Sequence, residues 1–327
     1  MLDALGRRVD YLRLSVIDRC NMRCTYCMAE SPDFLPKAEV LSLEEMARLA
    51  RLFIGLGVRK IRLTGGEPLV RRDVMTLVDI LGGELGADGL SELTMTTNGS
   101  RLAHFADRLA AAGMRRINVS LDSLDSAAFA RLTRGGQLEQ VLDGIAAAAG
   151  TGMAVKINTV VMPETDIADI DRLIAWCGRH GHDLTLIETM PLGQASRLPH
   201  PARSLEAVRR DLETRWTLAA TDYRSGGPAR FVTVAETGRR LGFITPLSHT
   251  FCESCNRLRL TCTGRLVLCL GHETGTDLRG PLRDGASQDE LRAIVQAALN
   301  RKAAGHDFLA PATHAAAPTH AMHHLGG

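Results

Sequence analysis

Short apolar or β-branched runs alternate along this chain with longer segments whose apolar positions recur near every 3.6 residues. The runs are LRLSVI (12–17), KIRLTG (60–65), LTMTTNG (93–99), RINVSLDS (116–123), AVKINTVV (154–161) and LTLIET (184–189). The clearest helix between them is SLEEMARLARLFIGLG. Ser42 and Glu45 spell a capping box, Leu43, Met46, Leu49, Ala50 and Phe53 form one apolar stripe, and glycine ends it. Six β-then-α units in succession predict parallel strands with right-handed crossovers, hence an α/β fold built as an open doubly wound sheet or a curved, barrel-like one. In either, ligands are expected at the C-terminal strand ends. There stand DRCNMRC, TGGEP, TTNGS, SLDS and ETMPLG.

The pattern changes after Trp216. TDYRSGGPAR reads as a linker or turn, RFVTVAETGRRLGFITP as two strands about a Thr-Gly turn, and a helix is expected near 287–300. The closing RKAAGHDFLAPATHAAAPTHAMHHLGG is rich in Ala, His and Pro and predicts no regular structure. The expected division is a main domain over 1–216 and a smaller C-terminal subdomain over 217–327.

Charge narrows the partners. A net charge of +2 gives no reason to expect a nucleic acid, and the arginine doublets are scattered among acids. No apolar run approaches the roughly 18 residues needed to cross a bilayer. MLDALGRRVDY lacks a signal-peptide core, so no membrane association and a cytoplasmic location are expected. Eight cysteines in a reducing compartment argue against a disulfide framework.

Those cysteines are unevenly placed. Cys20, Cys24 and Cys27 lie in one loop, Cys252, Cys255, Cys262 and Cys269 near the other end, and Cys177 alone inside a helical pattern, read as a small buried hydrophobe. Three thiolates with no fourth nearby leave one coordination position open, which suits a catalytic metal site and not a structural one. In the second group Cys252-x2-Cys255-x13-Cys269 repeats a triplet if Cys262 is set aside. On spacing alone the four could equally make a zinc site or a closed cluster.

Cys20-x3-Cys24-x2-Cys27 followed by Gly-Gly-Glu-Pro at 65–68 resembles the signature of radical S-adenosylmethionine (SAM) enzymes. SHTFCESCNRLRLTCTGRLVLCL resembles the C-terminal segment of the GTP 3′,8-cyclase family of molybdenum-cofactor biosynthesis. LRLSVIDRCNMRCTYCM, KIRLTGGEPLVRRD, RRINVSLDS, VKINTVVM and the final Gly326-Gly327 extend that likeness over nearly the whole chain. The resemblance implies a partial (β/α)6 TIM-like barrel with a small C-terminal subdomain. It also implies two [4Fe–4S] clusters, one on Cys20, Cys24 and Cys27 with SAM at its open iron, the other on Cys252, Cys255 and Cys269 with GTP at its open iron. Cys262 matches a position that is not a ligand in the family.

By the same resemblance Arg13, Arg62, Thr96, Lys156, Arg257, Leu258 and Arg259 contact GTP, and Tyr26, Gly66, Ser120 and Met190 contact SAM. Arg13, Arg257, Arg259, Gly326 and Gly327 belong to the catalytic set, with the Gly-Gly tail reaching the active site. A 5′-deoxyadenosyl radical takes the hydrogen at C3′ of GTP, C3′ attacks C8 of guanine, and reduction gives 3′,8-cyclo-7,8-dihydro-GTP. Implied partners are GTP, an electron donor and a second enzyme that forms the cyclic pyranopterin. A homodimer is a further candidate. The residues agree independently. Arg257 and Arg259, two apart on a strand, share a face. Arg13, Arg62 and Lys156 place cations inside apolar strands, which costs desolvation unless an anion meets them. Thr185 and His320 stand where the family often has arginine. Two other readings remain at this stage: a peptide-modifying twin-cluster radical enzyme, and a non-catalytic iron–sulfur carrier or degenerate paralogue.

Overall fold

The computed structural model describes residues 1–197, 203–248, 251–272, 275–306 and 308. Six parallel strands, β1 (Tyr11–Ser15), β2 (Lys60–Thr64), β3 (Glu92–Thr97), β4 (Arg116–Ser120), β5 (Ala154–Val161) and β6 (Asp183–Glu188), lie side by side in sequence order. Each falls on one of the six runs expected from the sequence. Helices α1 (Leu43–Gly55), α2 (Val74–Gly82), α3 (Leu102–Ala111), α4 (Ser126–Thr133), α5 (Leu138–Gly150) and α6 (Ile167–His180) make the crossovers, two of them between β4 and β5. The Ser42–Glu45 capping box forms at α1, Ser42 Oγ accepting from Glu45 N at 3.1 Å and Glu45 accepting from Ser42 N at 2.7 Å.

Alternation along these strands builds the barrel wall. Leu12, Leu14, Ile61, Leu63, Leu93, Met95, Ile117, Val119, Val155, Ile157, Leu184 and Leu186 point outward, buried beneath the helices in the main core. The opposite face, Arg13, Arg62, Thr96, Ser120, Lys156 and Asn158 among others, points into a central cavity. The interior therefore holds a cavity into which cations and polar groups project, unlike a barrel filled by branched side chains.

The C-terminal part does not form a sheet of its own. After α7 (Leu205–Leu212) and the short β7 (Leu218–Ala220), strands β8 (Arg230–Val234) and β9 (Arg239–Ile244) form the expected hairpin, and β9 adds parallel to β6. At the far edge β10 (Arg257–Leu260) adds parallel to β1, followed by β11 (Arg265–Val267) and β12 (Gly275–Asp277). One 12-stranded sheet results, with the six barrel strands at its centre. Helices α8 (Arg279–Arg283) and α9 (Gln288–Leu299) follow, α9 with a second capping box, Ser287 and Glu290. The segment expected to be a linker spans between the two sheet edges, since the Ser225 carbonyl accepts from Lys60 and the Gly226 carbonyl from Asn256. Among the described residues no helix is long and apolar enough to cross a membrane.

Candidate functional site

Both cysteine triplets open into the same cavity, at opposite ends. Cys20, Cys24 and Cys27 follow β1 and stand at the C-terminal ends of the barrel strands, as expected. Cys252 and Cys255 precede β10, which runs parallel to β1, and Cys269 follows the antiparallel β11. That puts the second triplet at the N-terminal strand ends. The expectation that ligands gather at one end thus holds for half the site, because the added edge strands bring chemistry to the other mouth. Cys262 is elsewhere, buried in the hydrophobic core with its carbonyl accepting from Leu41 N at 2.8 Å.

The first triplet's loop is shaped by Gly65 and Gly66. The glycines were expected to admit a ligand, but their tightest neighbour is the chain itself. A Cβ on Gly66 would sit 2.3 Å from the Arg19 carbonyl oxygen, and one on Gly65, whose φ is +155°, 2.5 Å from that of Ile17. Gly66 N and Glu67 N donate to those same carbonyls, of Ile17 and Arg19, at 2.8 and 2.9 Å. The β2 loop is thereby zipped to the backbone just ahead of Cys20. Glu67, fully buried, accepts from Leu69 N (3.0 Å), Thr97 Oγ1 (2.7 Å) and Asn98 N (2.6 Å). Asn98 in turn donates to Cys20 Sγ at 3.6 Å and to Asn21 Oδ1 at 3.0 Å. Tyr26 donates to Asp122 at 2.8 Å, and Asp122 also accepts from Val160 N at 2.8 Å. Burial raises the Asp122 carboxyl to about 6. Asn98 and Asp122 were not singled out from the sequence, although the Thr-Thr-Asn-Gly and Ser-Leu-Asp-Ser ends of β3 and β4 were.

Between the triplets the wall is cationic. Arg13 pairs in register with Arg62 on one side and Arg259 on the other, so three guanidiniums stand on one level of adjacent strands. Lys156 enters from β5 and Arg257 lies over the Phe251 ring, 4.8 Å from its centroid. Burial, then neighbouring arginines, lowers the basicity of Arg13 and Lys156, and brings Arg259 down to about 10. Lys60 and Arg116 differ: both pair with Glu92, at 2.7 and 2.6 Å. No comparable pair reaches Arg62 or Lys156 among the described residues. Buried polar atoms on the cavity wall also lack partners: Tyr11 Oη, Arg62 Nε, Thr64 Oγ1, Thr96 Oγ1, Asn158 Oδ1 and His306 Nδ1. Orphaned groups cost folding free energy unless a ligand satisfies them.

Tyr26, Gly66, Ser120 and Met190 line the upper part of the cavity, and Arg13, Arg62, Thr96, Lys156, Arg257 and Arg259 the wall below. Leu258 differs, its side chain buried in the core on the opposite face of β10, so only its backbone could meet a ligand. Thr185 is buried with its hydroxyl unpartnered. Gly326, Gly327 and His320 lie outside the described residues. At the second triplet, burial pushes the Cys255 thiol up, but Arg257 and Lys302 beside it bring it below its ordinary value.

Each triplet offers three thiols to the cavity, which fits a [4Fe–4S] cube with one iron left open. No three His, Cys, Asp or Glu side chains among the described residues are close enough for a single metal ion.

The family model of the radical SAM superfamily matches residues 14–177, and one described as Molybdenum Cofactor Synthesis C matches 182–308. GTP 3′,8-cyclase of Paracoccus denitrificans (strain Pd 1222) is 53% identical over 330 residues, covering 100% of this chain and 96% of that protein. The protein of the same name from Rhizobium meliloti (strain 1021) is 54% identical over 316 residues, 96% of this chain and 90% of its own length. Among solved structures, Streptococcus suis SuiB bound to its precursor peptide SuiA superposes with a TM-score of 0.62 at 16% identity, covering 92% of this chain and 72% of SuiB. SuiB bound to S-adenosylmethionine gives 0.59 at 17%, covering 88% and 68%. At such identity the likeness concerns the fold alone. Its features and these relatives together place the chain in the radical SAM superfamily and, within it, in the GTP 3′,8-cyclase family.

Proposed function

We propose that this chain converts GTP to (8S)-3′,8-cyclo-7,8-dihydro-GTP, the first step of molybdenum-cofactor biosynthesis, as a radical SAM lyase with two [4Fe–4S] clusters. The observation that carries the reading is the single cavity with a cysteine triplet at each mouth and, on the wall between them, buried cations and polar atoms without partners such as Arg62 Nε. Cys20, Cys24 and Cys27 would hold one cluster, and Cys252, Cys255 and Cys269 the other. When bound, the first cluster and SAM supply the 5′-deoxyadenosyl radical that abstracts the C3′ hydrogen.

The chain's own residues do the rest by position and charge. Tyr26, oriented by Asp122, and Gly66, Ser120 and Met190 would seat SAM. Arg13, Arg62, Lys156, Arg257 and Arg259 would bind the triphosphate and guanine, with Thr96 and the Leu258 backbone completing the contacts. Bidentate guanidiniums suit phosphate geometry, and an anion relieves the mutual repulsion of these crowded cations. Gly326 and Gly327 would enter the same catalytic set from the tail. Holding C3′ close to the radical source while excluding water and oxygen is the protein's contribution to rate. The proposal extends to an external electron donor, a separate enzyme taking up the product, a homodimer and a cytoplasmic location.

Anaerobic reconstitution tests it. Two cubes imply about eight irons per chain and 5′-deoxyadenosine formation that depends on GTP. Four irons, or SAM cleavage indifferent to GTP, would overturn the assignment.

A further inference from the structure

Two basic side chains from opposite ends of the chain meet behind the second triplet, and neither belongs to a recognised motif. Lys302, just past α9, is 4% exposed. Its ammonium donates to the carbonyl of Arg257 at 3.1 Å and to that of Leu268. Those carbonyls lie two residues after Cys255 and one before Cys269. The third cysteine segment is held from the N-terminus: Arg7 donates to the Cys252 carbonyl at 3.0 Å. The same guanidinium donates to the carbonyls of Lys302 and Ala303 at 3.2 and 2.7 Å and is fixed by buried Asp3. The two cations therefore form one unit that grips all three ligand-bearing segments.

We propose that Lys302, locked by Arg7 and Asp3, is a positioning residue for the second cluster. It fixes the spacing of Cys252, Cys255 and Cys269 and sets a permanent positive charge beside the cube. Burying an ammonium costs solvation that hydrogen bonds to two carbonyls only partly return. A cube on three thiolates is anionic and gains charge on reduction, so a fixed cation there favours the reduced state. What points to the cluster is that the hydrogen bonds of Lys302 and Arg7 fall together on all three ligand-bearing segments and not on one.

This inference rests on the second triplet holding a cluster, and the experiment separates the two. Full-length protein with Cys20, Cys24 and Cys27 replaced by alanine reports the second cluster alone, by iron content, by the electron paramagnetic resonance (EPR) signal of the reduced state and by its midpoint potential. Replacing Cys252, Cys255 and Cys269 in the otherwise unchanged chain checks the underlying reading. If that leaves the iron unchanged, the second cluster and the proposed function both fail. Given a second cluster, Lys302→Met is expected to lower its reduction equilibrium constant at least tenfold, ~59 mV for one electron. Chelator-driven iron loss should quicken at least tenfold. Lys302→Arg should restore the potential, and Arg7→Gln should quicken iron loss while shifting the potential less. If Lys302→Met does not fold, judged by circular dichroism, Lys302→Gln, which keeps an N–H donor, decides on the same potential shift. A potential and a loss rate within twofold of the parent's, in terms of equilibrium and rate constants, would overturn the proposal.

Discussion

Replacing Glu67 by glutamine perturbs the first triplet's loop without touching a cysteine. The carboxylate accepts from Leu69 N, Thr97 Oγ1 and Asn98 N. A glutamine oxygen can keep the first two, but its amide then faces the Asn98 N–H as donor against donor, across what is now 2.6 Å. One hydrogen bond to a charged group is lost, about 1.5–3 kcal/mol. Burial pushes the Glu67 carboxyl up, so removing its charge returns part of that cost. A net local loss of roughly 1.5–3 kcal/mol is the upper bracket. At 1.4 kcal/mol per factor of ten, the loop would open about 10- to 100-fold more often. Asn98, which bridges Glu67 to Cys20, carries that opening to the cluster. The assay is chelator-driven iron loss from the first triplet under anaerobic conditions, with urea unfolding run in parallel. Loss rates equal to wild type within twofold, with Asn98 still reporting a hydrogen-bonded amide by exchange, would refute the role given to this carboxylate.

Gly66→Ala forces a methyl to within 2.3 Å of the Arg19 carbonyl and should cost about 1–3 kcal/mol by overpacking. First-cluster iron should fall while circular dichroism stays unchanged, and full iron loading would contradict the close-approach argument. Lys156→Met removes a buried cation lowered well below its usual basicity by burial and by Arg62, Arg116 and Lys60. It should stabilise the apoprotein by about 1 kcal/mol or more yet weaken GTP binding at least tenfold, so a destabilised variant with normal GTP affinity would count against the cationic wall. His182 is buried beside His180 and Arg239, and burial chiefly brings its pKa from 6.5 down to about 4. A base with a depressed folded pKa contributes stability present above 6.5 and lost as pH falls toward 4, at most about 3 kcal/mol. Urea midpoints between pH 4 and 7 should fall less steeply for His182→Phe, and identical slopes would exclude it.

Reading the sequence located the local features well. All six barrel strands, the α1 capping box, the β8–β9 hairpin and α9 follow from short-range periodicity and capping, which act over a few residues. The cations inside the barrel were visible because Arg13, Arg62 and Lys156 interrupt apolar alternation. What periodicity could not show was long-range pairing. Nothing local says that Arg257 aligns with Tyr11, so the extension of the barrel sheet at both edges by C-terminal strands was not legible in the sequence. For the same reason the sequence alone does not place the second triplet at the mouth opposite the first. Nothing local singles out Arg7 or Lys302, because their partners are backbone carbonyls far away in sequence. Gly65 and Gly66 were rightly noticed, but the backbone that crowds them is that of residues 17–19.

The parallel pairing of β1 with β10 has a consequence for how the protein is made. Asp10 and Asn256, hydrogen-bonded at the foot of these strands, are 246 positions apart in the chain. A ribosome releasing the chain from its N-terminus exposes the first triplet early, while β1 still lacks its partner edge. Such distant pairing closes slowly, after much loop entropy is lost. Iron delivered during synthesis would meet Cys20, Cys24 and Cys27 in a half-built, solvent-open barrel. The cavity that both triplets line is therefore closed only once β10 has paired with β1, late in the emergence of the chain.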